Sequence, residues 1–264
     1  MTQKFWDIAR RASQAHLRTY EGISPLLAQA LYNRGFRDAD RAREFLFSAD
    51  PARGGFLSFK GKKEPINNAL SRIRRAIKDR QPIVVYGDFD ADGVTSTVLL
   101  VQTLRALGAN VKAYIPHRVD EGYGLNREAL EGLARAGNKL VITVDCGIRS
   151  VEEVEDGKAC GLDIIVTDHH SLGPELPDAL SVINPKCDDC EYTEDMLAGV
   201  GVAYRLAEAL LTTVSQVSLN RQNGKPQLEP DDLLDLVAIG TVADLAPLDR
   251  PENRALVRRG LEII

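Results

Sequence analysis

Three short stretches of the chain place acids and imidazoles directly behind apolar runs. Gly87-Asp88-Phe89-Asp90-Ala91-Asp92-Gly93 follows Ile83 to Tyr86, Asp145-Cys146-Gly147 follows Leu140 to Val144, and Asp168-His169-His170 follows Ile164 to Thr167. If those runs are neighbouring strands, Asp88, Asp90, Asp92, Asp145 and Asp168 converge with two histidines at one edge of a sheet. Carboxylates gathered this way repel one another and lose hydration at large cost unless cations sit among them. Oxygen ligands with one or two imidazoles suit Mn2+ or Mg2+ better than a closed structural zinc site. Two such ions, about 3.5–4 Å apart, would share a carboxylate, activate a water and clamp a phosphoryl oxygen, so the chemistry expected is phosphoester hydrolysis.

Each stretch also has a plainer reading. Asp88-x-Asp90-x-Asp92-Gly93 opens like an EF-hand loop, but its twelfth position is Leu99, where a bidentate Glu is needed, and a strand precedes it. A dinucleotide site would require G-x-G-x-x-G, which is absent, and three acids there would repel a pyrophosphate. Taken alone, Asp145 reads as a helix N-cap. Asp168-His169-His170 alone reads as a turn with one satisfied histidine, although two of only four histidines standing together at a strand end favour ligation. Cys187-x-x-Cys190 has half the spacing of a zinc site and no second pair, and is read as a surface loop.

The elements that must position these groups fall into two regions. Residues 1–80 read as a helical region: Ser24-Pro25 starts a helix that Gly35 closes, a second spans Asp40 to Phe47, and a basic helix runs from Pro65 to Lys78. Residues 81–264 read as the α/β domain, whose apolar runs Ile83 to Tyr86, Val111 to Ile115, Leu140 to Val144, Ile164 to Thr167 and Ala179 to Ile183 alternate with helix-length segments. That alternation predicts a five-stranded, mainly parallel sheet covered on both faces, followed by C-terminal helices from Pro230 to Ile239 and Glu252 to Ile264. In such sheets, ligands bind past the carboxyl ends of the strands, where the acids and histidines stand.

Composition agrees with an enzyme of this class. The 264 residues are 44% hydrophobic, enough for a sizeable core, and include four cysteines, too few for a disulfide scaffold. No run reaches the ~18 apolar residues of a membrane span and the N-terminus lacks a signal-peptide core, so a soluble, cytoplasmic protein with no membrane partner is expected. The net charge is −5, which by itself argues against nucleic acid. Between Pro51 and Arg80, however, nine cations (Arg53, Lys60, Lys62, Lys63, Arg72, Arg74, Arg75, Lys78 and Arg80) face two anions. The favoured reading of the helical part of that stretch is a solvated face behind Ile66, Leu70, Ile73 and Ile77.

Strand, D-x-D, strand-Asp and Asp-His-His, in that order, form a motif series that resembles the DHH phosphoesterase superfamily. The fuller wording adds Ile183-Asn184-Pro185, Leu197-Ala198-Gly199-Val200-Gly201-Val202-Ala203 and Gly240-Thr241-Val242-Ala243-Asp244-Leu245-Ala246-Pro247-Leu248. From about Ser24 to the last residue it resembles the bacterial single-stranded-DNA-specific exonucleases of that superfamily. The resemblance implies metal ligands at Asp90, Asp92, Asp145, His169 and Asp244. Asp145 would bridge two Mn2+ or Mg2+ ions, and Asp88 would join Asp90 at the second. It further implies that Asp168 orients His169 or fixes the turn, while His170 faces the scissile phosphate as hydrogen-bond donor or leaving-group acid. Within Ile115 to Leu125, His117 and Arg118 are candidate phosphate contacts, and Tyr123 is either a base-stacking platform or a half-buried turn residue.

Two departures from the family pattern stand out. Small-substrate members place a His four residues before the first Asp of D-x-D, where this chain has Tyr86. The second domain and OB-fold of the exonucleases are not in these 264 residues, so the sequence reads as the N-terminal catalytic part of a longer protein. The function implied is 5′ to 3′ hydrolysis of single-stranded DNA to 5′-mononucleotides in repair and recombination, with repair or replication proteins as further partners. The alternatives are a DHH enzyme acting on pyrophosphate, oligoribonucleotides or cyclic dinucleotides, and a non-catalytic module that binds DNA or replication proteins.

Overall fold

A computed structural model describes residues 7–47, 49, 64–118, 122, 124–187, 196–215 and 228–264. They fall into two compact units, divided after residue 49. The smaller holds α1 (Gln14–Leu17), α2 (Pro25–Asn33) and α3 (Ala39–Phe47). Ser24 caps α2 by accepting from the Leu27 amide, Pro25 occupies the first turn, and Gly35, at φ +92°, turns the chain out. Its core is Tyr20, Ala28, Leu31 and Ala42, and the Tyr20 hydroxyl donates to the Phe36 carbonyl.

In the larger unit the order is α4 (Glu64–Lys78), β1 (Ile83–Gly87), α5 (Ala91–Ala106), β2 (Val111–Tyr114), α6 (Arg127–Arg135) and β3 (Leu140–Val144). Then come α7 (Val151–Ala159), β4 (Asp163–Thr167), β5 (Ser181–Ile183), α8 (Gly199–Ser215), a 3-10 turn over Pro230–Leu233, α9 (Leu234–Ala243) and α10 (Pro251–Ile263). The five strands pair in the order β2-β1-β3-β4-β5, and every pairing is parallel. Strands buried on both faces need no polar alternation, which is why the sequence shows them as plain apolar runs. Ile83, Val85, Leu140, Ile142 and Ile165 pack against α4, α5, α8 and α9. Val84, Tyr86, Val141, Ile164 and Val166 face the other way, toward α6 and α7.

The expected boundary at residue 80 is not where the units divide. Ile66, Ala69, Leu70, Ile73 and Ala76 of α4 belong to the core of the sheet, so this helix is part of the α/β unit. Nor is Arg72 on a solvated face. It is buried, with Nε bonded to Asp163 at the start of β4, whereas Arg74, Arg75, Lys78 and Arg80 are exposed. Arg53, Lys60, Lys62, Lys63 and Cys190 lie outside the described residues. Among the described residues, no helix is long and apolar enough to cross a membrane.

Strand order and register do the positioning. Gly87, Val144 and Thr167, the last residues of three adjacent strands, share one row of the sheet. The next residue in each case is an aspartate: Asp88, Asp145 and Asp168.

Candidate active site

From β1 the chain turns through Asp88 and Phe89 to Asp90, whose Oδ1 accepts from the Gly93 amide at 2.9 Å and so caps α5. Asp92, in the first turn of that helix, is buried. Its two carboxylate oxygens accept from Gly199 (2.6 Å) and Val200 (2.8 Å), the first amides of α8, which have no partners within their own helix. The packing demands glycine at both ends of this contact. A Cβ on Gly93 would lie 2.5 Å from the Asp88 carbonyl oxygen, and one on Gly199 would lie 2.7 Å from the Asp145 Cβ.

Asp145 is not an N-cap. The helix after β3 begins at Val151, behind Ser150, and Asp145 itself sits in the left-handed region at φ +61°. That conformation is uncommon for a side-chain-bearing residue and concentrates at functional sites. Asp145 Oδ1 lies 3.1 Å from His169 Nε2, and His169 Nε2 lies 3.7 Å from Asp92 Oδ2. Asp145 Oδ1 and His169 Nε2 are both buried and make no hydrogen bond. Asp244 arrives as the C-cap of α9. One ligand atom each from Asp92, His169 and Asp244 lie within 4.8 Å of one another, as do those from Asp145, His169 and His170.

His170 differs from its neighbour. Its Nδ1, 3.9 Å from Asp145, is 2.7 Å from Asp168 Oδ1, so that nitrogen is committed to Asp168 and Nε2 is left for an incoming group. Asp168 also accepts from the amides of His169, His170 and Ile148, and therefore holds both the turn and the His170 ring. It does not orient His169, one of the two roles considered above. Further supports come from residues that motif reading left without a role: Asn184 donates to the His170 carbonyl at 3.0 Å and Lys186 to the His169 carbonyl at 2.6 Å. Their signal was the Ile183-Asn184-Pro185 wording at the end of an adjacent strand.

Electrostatics separates the groups. Burial and then the charge of Asp145 push Asp92 up to about 7, against the Val200 amide. Burial and then Asp90 push Asp145 up to about 8, and burial also raises Asp88. The Asp168 hydrogen bond, against burial, raises His170 to about 9. Burial would raise Asp168 as well, but the His170 ring and the amides of His170 and Ile148 outweigh it and hold that carboxyl low. Asp92 and Asp145 thus lack positive charge, and two buried ligand atoms lack partners. Carboxylate oxygens and an imidazole nitrogen converging this way fit a hard divalent cation.

Asp88 and Asp90 flank the cluster and act on it electrostatically, but neither enters the two close groups. Arg118 is exposed, its guanidinium carbon 4.5 Å from the centre of the Phe89 ring, and His117 beside it is exposed too. Tyr123 lies outside the described residues. Tyr86, at the family's usual His position, is no ligand: its hydroxyl donates to the Gly124 carbonyl at 3.0 Å. A cavity of about 750 Å³ opens beside β5, lined by residues such as Asn68, Leu172 and Leu176, and none of the candidate ligands lines it.

A parallel α/β sheet carrying aspartates and a histidine pair at its carboxyl edge defines the class. Residues 82–241 match the DHH family, N-terminal domain, and the chain belongs to the DHH family. It is similar to the single-stranded-DNA-specific exonuclease RecJ of Bacillus subtilis (strain 168), with 47% identity over 240 residues, 91% of this chain and 28% of that protein. Of solved structures, RecJ from Thermus thermophilus in complex with Mn2+ superposes with a TM-score of 0.69 and 34% identity, over 96% of this chain and 34% of that one. An exonuclease RecJ bound to manganese gives a TM-score of 0.66 and 39% identity, over 78% of this chain and 49% of that one. The chain therefore spans between 28% and 49% of the lengths of these relatives.

Proposed function

We propose that the chain carries the hydrolytic site of a metal-dependent exonuclease that degrades single-stranded DNA from a 5′ end, 5′ to 3′, to 5′-mononucleotides. One observation carries the reading: Asp145 Oδ1 and His169 Nε2 are buried, 3.1 Å apart and without hydrogen bonds, beside Asp92 and Asp244. Asp92, Asp145, His169 and Asp244 would hold one Mn2+ or Mg2+ ion, and Asp88 and Asp90 would join Asp145 around a second. When bound, the ions supply Lewis acidity for phosphodiester hydrolysis.

The remaining work falls to side chains of this chain. Asp168 keeps His170 protonated at neutral pH and holds its ring, so that Nε2 donates a proton or hydrogen bond to the scissile phosphate or its leaving oxygen. Arg118 takes a backbone phosphate, with His117 beside it, and Tyr123 stacks on a base. Contacts to phosphate and base faces tolerate any sequence, as non-selective degradation requires. The similarity to RecJ proteins supports DNA as substrate, a cytoplasmic place in repair and recombination, and repair or replication proteins as partners.

The test compares release of mononucleotides from a long 5′-phosphorylated single strand with hydrolysis of a dinucleotide, both in Mn2+. The proposal expects preference for the long strand. Preference for the dinucleotide would identify a small-substrate DHH phosphoesterase instead.

A further inference from the structure

Tyr86, the penultimate residue of β1, is fully buried, its ring 5.0 Å from that of Tyr114 at the end of β2. A buried phenol hydroxyl needs partners, and this one has two that are distant in sequence. It donates to the Gly124 carbonyl at 3.0 Å and accepts from Asn126 Nδ2 at 3.1 Å. Asn126 is in turn the N-cap of α6, its Oδ1 accepting from the Ala129 amide at 2.7 Å. The far end of the connection between β2 and α6 is therefore tied to the inside of the sheet. Near its other end, Arg118 rests on Phe89, the residue between Asp88 and Asp90. One stretch of chain thus supplies both contacts: the Tyr86 hydroxyl, and the Phe89 ring three residues later. A guanidinium on an aromatic face keeps its N–H groups free in the plane of the fork, ready for a phosphate.

We infer that Tyr86 is a positioning residue: by holding Gly124 and Asn126 it sets the course of the connection after β2, and so places Arg118 over Phe89 to receive a phosphate of the substrate strand. The inference rests on the phosphate role proposed for Arg118. Tyr86 makes no contact with substrate and acts only through the connection it holds. A strand end two residues before Asp88 thereby serves substrate placement and leaves the metal ligands alone.

Steady-state hydrolysis of 5′-phosphorylated single-stranded DNA by the full chain in Mn2+ tests this, with Tyr86→Phe, Arg118→Ala and the double variant. Loss of one buried hydroxyl contact is expected to raise KM about three- to tenfold, with kcat and Mn2+ affinity changed by less than about twofold. If Tyr86 acts through Arg118, the double variant is no worse than Arg118→Ala alone. Asn126→Asp, which keeps the cap on α6 and removes the amide donor, is expected to move KM in the same direction and provides a second variant should Tyr86→Phe fold poorly. Additive effects, or a raised KM in Arg118→Ala with none in Tyr86→Phe or Asn126→Asp, would overturn the positioning role while leaving the phosphate role intact. An unchanged KM in Arg118→Ala would overturn the phosphate role itself.

Discussion

Helix α8 meets two groups of buried charges, and they are built on opposite principles. Near the middle of the helix, Arg205 is fully buried and bonded through Nε to Glu252 of α10 at 2.7 Å and through Nη1 to Glu208 at 2.9 Å. At its start, Asp92 and Asp145 crowd together with a histidine among them and Asp90 and Asp244 nearby. The first group brings its countercharge with it and ties α8 to α10. The second is left short of positive charge, at a cost that its raised carboxyl values record. A fold that balances one buried cluster internally, while leaving another unbalanced at the carboxyl edge of its sheet, marks the second as the place that takes its cation from solution.

If that contrast holds, damage to the two clusters separates cleanly. His170→Ala should lower kcat on single-stranded DNA by about 10²–10⁴-fold, the usual scale for a proton donor, with Mn2+ affinity retained because its Nδ1 serves Asp168. Arg205→Met should do the reverse: two buried acids lose their partner, so the urea midpoint falls by the equivalent of about 3–5 kcal/mol while Mn2+ affinity is kept. A fully stable Arg205→Met, or one that loses Mn2+ while folded, breaks the comparison.

Smaller effects sharpen it. Asp168→Asn removes the main cause of the raised His170 value, so the alkaline limb of the kcat profile, expected near pH 9, should move toward the ordinary imidazole range. Unchanged pH dependence would remove His170 from the proton-donor role. The smallest expected effect is on stability without metal. Asp92 and Asp145 have folded values near 7 and 8, above the ordinary 3.8, so the stability they contribute is complete below about pH 4 and is lost as pH rises through 7 and 8. His170 acts in the same direction between 6.5 and about 9, while Asp168, held low, contributes stability that is lost only in acid. Urea midpoints in EDTA should therefore fall from pH 5 to pH 8, and Mn2+ should reverse most of the fall; a rise would contradict the unbalanced cluster.

Much of this is legible in the amino-acid sequence, for a physical reason. Parallel strands covered on both faces appear as bare apolar runs, and the residue after each run must lie at the carboxyl edge. Asp88, Asp145 and Asp168 can thus be placed together from sequence, and the observed register bears that out. What escapes depends on contacts between distant segments. Arg72 looks like one more cation on a solvated face until Asp163, 91 residues away, is seen beside it. The left-handed turn at Asp145, the α8 amides that hold Asp92 and the Tyr86 hydroxyl on Gly124 leave no periodic trace. Asp244 is found only through resemblance, because its approach to Asp92 depends on how α9 packs against α5.

Calorimetric titration of the chain with Mn2+, beside Asp145→Ala, addresses the unbalanced cluster most directly. The wild type should bind, and binding should raise its melting temperature in step with Mn2+ concentration; in Asp145→Ala the binding should be lost while the apo chain remains folded. Unchanged Mn2+ binding in the variant would contradict a cation site at the end of β3.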